Sequence, residues 1–435
     1  MRILHLVPGS GGTFYCQNCL RDHILIRALR AKGHDVVLVP LYLPMYGGAV
    51  AAEANAPLFF GGISVYVREK LPFLRRMPGW LDRLLNLPGL LRQAAMREGS
   101  TNASGLGSMT LSMLEGQHGN QGQEFERFLD WLRTQPRPDV IHISNALLLG
   151  FVPAIREILD TPFICTLQDE EPWVSAMEPP YERLCWDVMS RHGAQVSRFI
   201  ATSRWYADRM MDRMRFSPDQ ITVLYPGIEV PPEPPSFQHA DPPTIGYLSR
   251  LNRTQGFEDL VNAFMVLKRE PALASLRLRA TGGATPADTP FLTEIETRLG
   301  NAGFLEDTEI DWNFQSAPGE AFFQGLTVMC TPSREGEAFG MHIIEAMARG
   351  IPVVQPRAGA YPELIGDGES GVLYDPETPH GLTGALREIL TRPDQAGRLG
   401  EQGYLRAREL FSAERMAGEM IALYESVLDA SPASP

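Results

Sequence analysis

A chain of 435 residues with 44% hydrophobic and 21% charged residues has an ordinary globular balance and enough material for two cores. Its formal net charge of −13, from 39 Lys and Arg against 52 Asp and Glu, argues against nucleic acid as a partner, because phosphate binding needs clustered cations. Five scattered cysteines (Cys16, Cys19, Cys165, Cys185 and Cys330) are no disulfide scaffold, and the first apolar run is too short for a signal segment or a membrane span, so a cytoplasmic protein is expected.

In chain order, residues 3–7 form a short apolar run that meets Gly9-Ser10-Gly11-Gly12. A periodic segment over 20–31 stops at Gly33, and 35–39 is a second buried-strand pattern. Strand, glycine turn, helix and strand make the opening βαβ unit of a doubly wound domain. Inside it, Cys16-Gln17-Asn18-Cys19 with His23 offers three zinc ligands without a fourth, a redox pair at a helix start, or two small apolar groups packed under the glycine turn. Packing is expected. Arg21 and Asp22, just past the turn, are placed on the ligand side.

Gly61-Gly62 before Ile63 suits either a ligand-side loop or a plain turn before a helix. Residues 68–97 interleave Leu, Phe and Trp80 with seven basic and two acidic residues. Such a stretch lies on an anionic membrane surface or folds as a lid; Pro72, Pro78 and Pro88 break it into short pieces and favour the lid. Residues 99–122, rich in Gly, Ser, Asn and Gln, read as a mobile loop. Continuous apolar runs at 139–143, 163–167 and 199–202 are strands buried on both faces.

Prolines at 231, 232, 234, 235, 242 and 243 bracket a stiff linker. The pattern then restarts, with strands over 244–248, 276–280, 326–330 and 351–354 and helices over 257–269 and 343–348. Two βα-repetitive halves joined by a hinge would enclose one deep cleft for a ligand.

The most informative segment runs from Pro332 to Val353. Glu337 and Glu345 stand eight residues apart, one before a helix and one inside it, and Gly340 opens that helix. A helix start offers free N–H groups to an anion, and Glu345 would accept hydrogen bonds from sugar hydroxyls. Two glutamates alone would be ordinary surface residues. Their setting of Pro332-Ser333, Phe339-Gly340, Glu345-Ala346-Met347-Ala348 and Gly350-Ile351-Pro352-Val353 is what shifts the balance.

This segment resembles the donor-site signature of retaining GT-B glycosyltransferases of the family-4 type, a large family that includes sucrose-phosphate synthase and bacterial glycan-building enzymes. Gly33-His34-Asp35-Val36, Tyr225-Pro226-Gly227-Ile228-Glu229, Ser249-Arg250-Leu251, Ala358-Gly359-Ala360-Tyr361-Pro362-Glu363-Leu364 and Gly371-Val372-Leu373 are similar to further family motifs. Coverage is weakest over 43–124. The resemblance implies an α/β GT-B fold of two Rossmann-like doubly wound domains facing a central cleft. It places an acceptor domain at 1–228 with a variable insert over about 43–124, a nucleotide-sugar domain at 229–410, and a C-terminal helix at 411–435 packing back on the first domain.

It also implies roles. Glu345 would bind the nucleotide ribose, Glu337 would lie near the hydroxyls of the donor sugar or near its reacting carbon, and the amides of Phe339, Gly340 and Met341 would contact the sugar or distal phosphate. Arg250 would hold the diphosphate, and Gly11 and Gly12 would let the backbone approach it closely. The partners would be a nucleotide-diphosphate sugar and a hydroxyl-bearing glycan, lipid or metabolite, with no cofactor and no metal; cations and helix ends would stabilise the departing diphosphate. Two departures from the family pattern stand out. Gln255 occupies the position of a phosphate-binding lysine, with Arg253 a displaced substitute. Gln168 occupies the position of a histidine facing the reacting sugar, followed by Asp169, Glu170 and Glu171, which would meet acceptor hydroxyls or a cationic acceptor. These departures motivate an alternative, a nucleotide-sugar-binding scaffold without turnover. A phosphorylase is a weaker third reading, because loss of the lysine disfavours phosphate binding.

Overall fold

A computed structural model describes residues 1–9, 15–42, 59, 103–235, 240–312, 314 and 319–430. The expectations for Gly11, Gly12, Gly61-Gly62 and the basic stretch 68–97 lie outside the described residues. The chain forms two compact units: Met1–Gly11, Leu25–Leu224 and Ala417–Pro435 in one, and Gly12–Ile24 with Tyr225–Met416 in the other.

The first unit is built on a six-stranded sheet in the order β2-β1-β3-β4-β5-β6. Its strands are β1 (Arg2–Val7), β2 (Asp35–Pro40), β3 (Val140–Ile143), β4 (Phe163–Leu167), β5 (Arg198–Ala201) and β6 (Ile221–Val223). The second unit repeats the plan as β12-β11-β10-β7-β8-β9. These are β7 (Thr244–Leu248), β8 (Arg277–Thr281), β9 (Thr308–Ile310), β10 (Val328–Met329), β11 (Val353–Pro356) and β12 (Gly371–Tyr374). Every pairing is parallel. Strands β3, β4 and β7 are buried at every position, as their unbroken apolar runs require. In each sheet the winding reverses once, between β1 and β3 and between β7 and β10. Connections leave such a switch point in opposite directions, which opens a crevice beyond the carboxyl ends of the two strands.

The helices used below are α1 (Gln17–Ala31), α2 (Glu170–Ser175), α3 (Arg204–Met214), α4 (Phe257–Leu267), α5 (Met341–Met347) and α6 (Ala413–Ala430). Two expectations need correction. Residues 99–122 are not a loop throughout: Gly107–Leu114 is a helix. Several of the glycines that suggested mobility, Gly107, Gly116 and Gly119 among them, are packing positions. A side chain on Gly107 would lie 2.6 Å from Tyr181, and one on Gly119 would lie 2.0 Å from the Ser112 carbonyl. Close approach, rather than freedom, selects glycine there.

The boundary drawn at residue 228 also differs, because residues 12–24 group with the second unit. Tyr15, Leu20 and Ile24 pack in one apolar cluster with Phe339, Met341 and Ile344, so the hydrophobic effect assigns the start of α1 to that core. The last helix groups with the first unit from Ala417 on. There the Tyr424 hydroxyl meets buried His142 Nδ1 at 2.6 Å, and His142 Nε2 meets Thr166 Oγ1 at 2.8 Å. No helix among the described residues is long and apolar enough to cross a membrane.

Candidate functional site

The carboxyl end of β10 runs into the loop that carries Glu337 and then into α5. That loop is fixed backbone against backbone. Gly336 and Gly359 both have positive φ, and a Cβ on Gly336 would stand 2.4 Å from the Gly359 nitrogen, so no other residue fits. The Ala360 N–H donates to the Glu337 carbonyl at 3.1 Å and completes the clamp.

Two residues from the other end of the sequence meet this loop. Gln17 Nε2 donates to Glu337 Oε2 at 2.9 Å, while the Met341 N–H donates to Gln17 Oε1 at 2.6 Å. The Tyr15 hydroxyl donates to Glu345 Oε2 at 2.5 Å, across 330 positions. Tyr15 is buried, its ring edge-on to Phe314 at 6.1 Å. Burial pushes the Glu345 carboxyl up to about 7, partly countered by the Tyr15 hydrogen bond and by Arg349. His342 is buried beside Glu337, with Nδ1 3.8 Å from Oε2, and burial pushes its imidazole down to about 3, so the ring is neutral. Helix α5 is seven residues long, so its N-terminus acts through single N–H groups more than through a summed dipole.

At the carboxyl end of the neighbouring strand β7 stands Arg250. Its Nε donates to Asp288 Oδ2 at 2.9 Å and its Nη2 to Thr285 Oγ1 at 2.8 Å. Thr285 and Asp288 cap each other in a short turn, so the guanidinium is held by a pre-built acceptor pair. Gln255 lies ahead of α4. Its N–H donates to Asn252 Oδ1 at 2.9 Å, and its side-chain oxygen is buried without a hydrogen-bond partner. Arg253 does not replace the missing lysine: it pairs with Glu258 and Glu294 on the surface and stacks over Phe291 at 4.7 Å. Thus Glu337, Phe339, Gly340, Met341, Glu345, Arg250 and Gln255 all belong to the second unit, and the first five share one loop and helix. Tyr15, Gln17, Thr285 and Asp288 were not foreseen. The only local sign was the position of Tyr15 and Gln17 just after a glycine turn.

In the first unit the end of β4 carries the acidic trio. Gln168 is buried, and its Nε2 donates to the Ser144 carbonyl. Asp169 adopts a left-handed conformation (φ 57°) ahead of α2. Such a backbone on a residue other than glycine is strained and is held in place by its surroundings. Glu170 has a different task from the acceptor contact expected of it. Its carboxylate is fully buried and accepts from Ala146 N at 2.9 Å, Gln168 N at 2.7 Å and the Tyr206 hydroxyl at 2.7 Å, so it braces the turn. Glu171 is neutralised by Arg209 and Arg213 of α3. The opposing burial is outweighed by the hydrogen bonds from these two arginines, which hold its carboxyl below the usual range. Arg21 pairs with its neighbour Asp22, and both are buried.

The cysteines overturn the expectation that they only pack as small apolar groups. Cys16 and Cys19 form a disulfide, with Cα atoms 5.4 Å apart, across the start of α1. An i,i+3 spacing at a helix start brings two sulfurs together, which apolar packing alone would not demand. Cys165, Cys185 and Cys330 are buried and take part in no disulfide.

Comparison with known proteins agrees with this architecture. Residues 233–406 match the family profile "Glycosyl transferases group 1", and residues 23–227 match "Glycosyl transferase 4-like domain". The MMP alpha-(1->4)-mannosyltransferase of Mycolicibacterium hassiacum is 27% identical over 307 residues, 67% of this chain and 71% of that protein. The D-inositol 3-phosphate glycosyltransferase of Thermobifida fusca is 26% identical over 249 residues, 54% of this chain and 56% of that protein, so the match spans just over half of that relative. In fold, the chain is similar to sucrose-phosphate synthase from Thermosynechococcus elongatus, with a TM-score of 0.70 at 19% identity over 99% of this chain and 100% of that one. It is also similar to Anabaena HepE, solved in complex with UDP-glucose, with a TM-score of 0.63 at 15% identity over 98% and 100%. With two adjoining glycosyl transferase domains laid over two doubly wound sheets, the chain belongs to the GT-B glycosyltransferase family.

Proposed function

We propose that the protein is a retaining glycosyltransferase that takes a sugar from a nucleotide-diphosphate donor and places it on a hydroxyl-bearing glycan, lipid or small molecule. The observation that carries this is the gathering of Glu337, the Met341 amide and Glu345 on one rigid loop and helix beyond β10, with Arg250 at the end of the adjacent strand β7. That crevice is where an open parallel sheet accepts a ligand. Ionised Glu345 offers two oxygens to a pair of ribose hydroxyls, and Glu337 faces the donor sugar. Arg250 is a planar cation suited to a diphosphate, and its anchoring by Asp288 and Thr285 means little reorganisation as charge grows on the leaving oxygen. Phe339 and Gly340 bring main chain near the same place, and Gly11 and Gly12 are assigned to the diphosphate by family resemblance. No cofactor is required in this scheme.

The scaffold reading keeps one specific support. With Gln255 for lysine and Arg253 committed to Glu258 and Glu294, the phosphate loop carries less free positive charge than the family pattern has. A thermal-shift screen of nucleotide sugars followed by hydrolysis and transfer assays separates the two. A bound donor raises the melting temperature by mass action, and Glu345→Ala is expected to abolish that shift. Stabilisation without hydrolysis or transfer across a broad acceptor set would favour the scaffold. Equal stabilisation of wild type and Glu345→Ala would remove the donor site from this loop.

A further inference from the structure

The groups assigned to the donor are already engaged by the chain itself. Tyr15 donates its phenol proton to Glu345, as a ribose hydroxyl would, and Gln17 spans Glu337 and the Met341 N–H, as a sugar hydroxyl would. A donor must displace both side chains to reach these atoms. Cys16 stands between them, and Cys19 follows two residues after Gln17. The Cys16–Cys19 disulfide therefore closes a ring that contains Gln17 and begins next to Tyr15.

We infer that Cys16–Cys19 is a reversible thiol–disulfide site whose oxidation holds Tyr15 and Gln17 on the donor-site carboxylates and whose reduction releases them. The inference rests on the donor-site reading above. Its physical basis is chain entropy: a cross-linked turn has fewer conformations to lose when Tyr15 and Gln17 dock, so the occupied state is favoured in the oxidised form. Exchange chemistry suits the position. Both cysteines are partly exposed, in contrast to the three buried ones. The Cys19 N–H also donates to Cys16 Sγ at 3.3 Å, a contact that stabilises a thiolate at a helix start. In oxidation, the Cys16 thiolate attacks an external disulfide RSSR, forming a mixed disulfide and expelling RS⁻. The Cys19 thiolate then attacks Cys16 Sγ, expelling the second RS⁻. The two protein thiols lose two electrons and two protons, which leave with two RSH. A dithiol reductant runs the sequence backwards.

The test uses the full chain, with thiol count by alkylation and mass spectrometry as the state marker and UDP, GDP and ADP as probes in calorimetry. Reduction with dithiothreitol is expected to tighten the best-bound nucleotide about tenfold, the equivalent of one charge-assisted hydrogen bond. Cys16→Ser with Cys19→Ser is expected to bind like the reduced protein and to ignore dithiothreitol. Oxidised Tyr15→Phe is expected to bind about as tightly as reduced wild type, because the competing bond to Glu345 is gone. Binding that Glu345→Ala weakens but that is the same in both redox states would overturn the switch and leave the donor site standing. Weaker binding by Tyr15→Phe would make Tyr15 a donor contact and also overturn it. No nucleotide binding by the reduced protein would overturn the donor-site reading and the switch together.

Discussion

A buried carboxylate with its proton affinity raised toward neutrality makes donor binding pH-dependent, and the sign can be worked out from Glu345. Burial raises its pKa from 4.5 to about 7 in the donor-free protein. Ribose hydroxyls donate to the ionised form, so binding competes with protonation and strengthens as pH rises through 7. The ionised fraction grows from about a tenth at pH 6 to about nine-tenths at pH 8, which tightens binding about tenfold across that window. UDP-glucose is the appropriate probe, because a diphosphate esterified at both ends does not itself titrate there. Calorimetry at half-unit intervals from pH 5.5 to 8.5 gives the profile, and Glu345→Gln, which cannot ionise, supplies the control. Weak and pH-independent binding is expected of that variant. A flat wild-type profile, or the same slope in Glu345→Gln, would show that Glu345 is not the ribose acceptor.

Arg250→Ala is expected to lower kcat by about a hundredfold or more while changing donor affinity less, because the charge it meets grows in the transition state; steady-state kinetics that show only a KM effect would refute this. Gln255→Lys restores the family's cation, and in a working enzyme with a conventional donor it should tighten bare UDP without loss of rate, as competition assays will show. Glu170→Gln should cost about 2 kcal/mol in urea unfolding, since an amide NH₂ would replace an oxygen that accepts from buried donors; an unchanged midpoint would remove its bracing role. The imidazole of His342, held down to about 3, resists protonation that the unfolded chain accepts below about 6.5. The stability this group contributes is therefore complete above that pH and falls steadily as pH drops toward 3, and His342→Leu should flatten this limb. An unaltered acid limb in the variant would place the titrating group elsewhere.

The parallel strands with both faces buried were legible in the sequence. Residues 163–167 and 244–248 coincide with β4 and β7, because a strand in the middle of a covered sheet has no polar face to interrupt its apolar run. The edge strands β6 and β9 escaped notice: they are three residues long and only partly buried, so they leave no such run. The Glu337–Glu345 segment was legible as well, since its spacing, glycines and helix lie within one local stretch. Composition misled at 107–114, where Gly107 serves close packing against Tyr181 and reads as looseness when its neighbour is unknown. What decides the state of the site lies beyond any local pattern. Tyr15 finds Glu345 across 330 positions, and Arg250 finds Asp288 across 38. Only the folded chain brings such groups within hydrogen-bond reach. The sequence names chemically able residues one by one, whereas a buried carboxylate's partner is chosen by which distant donor the packed core sets beside it.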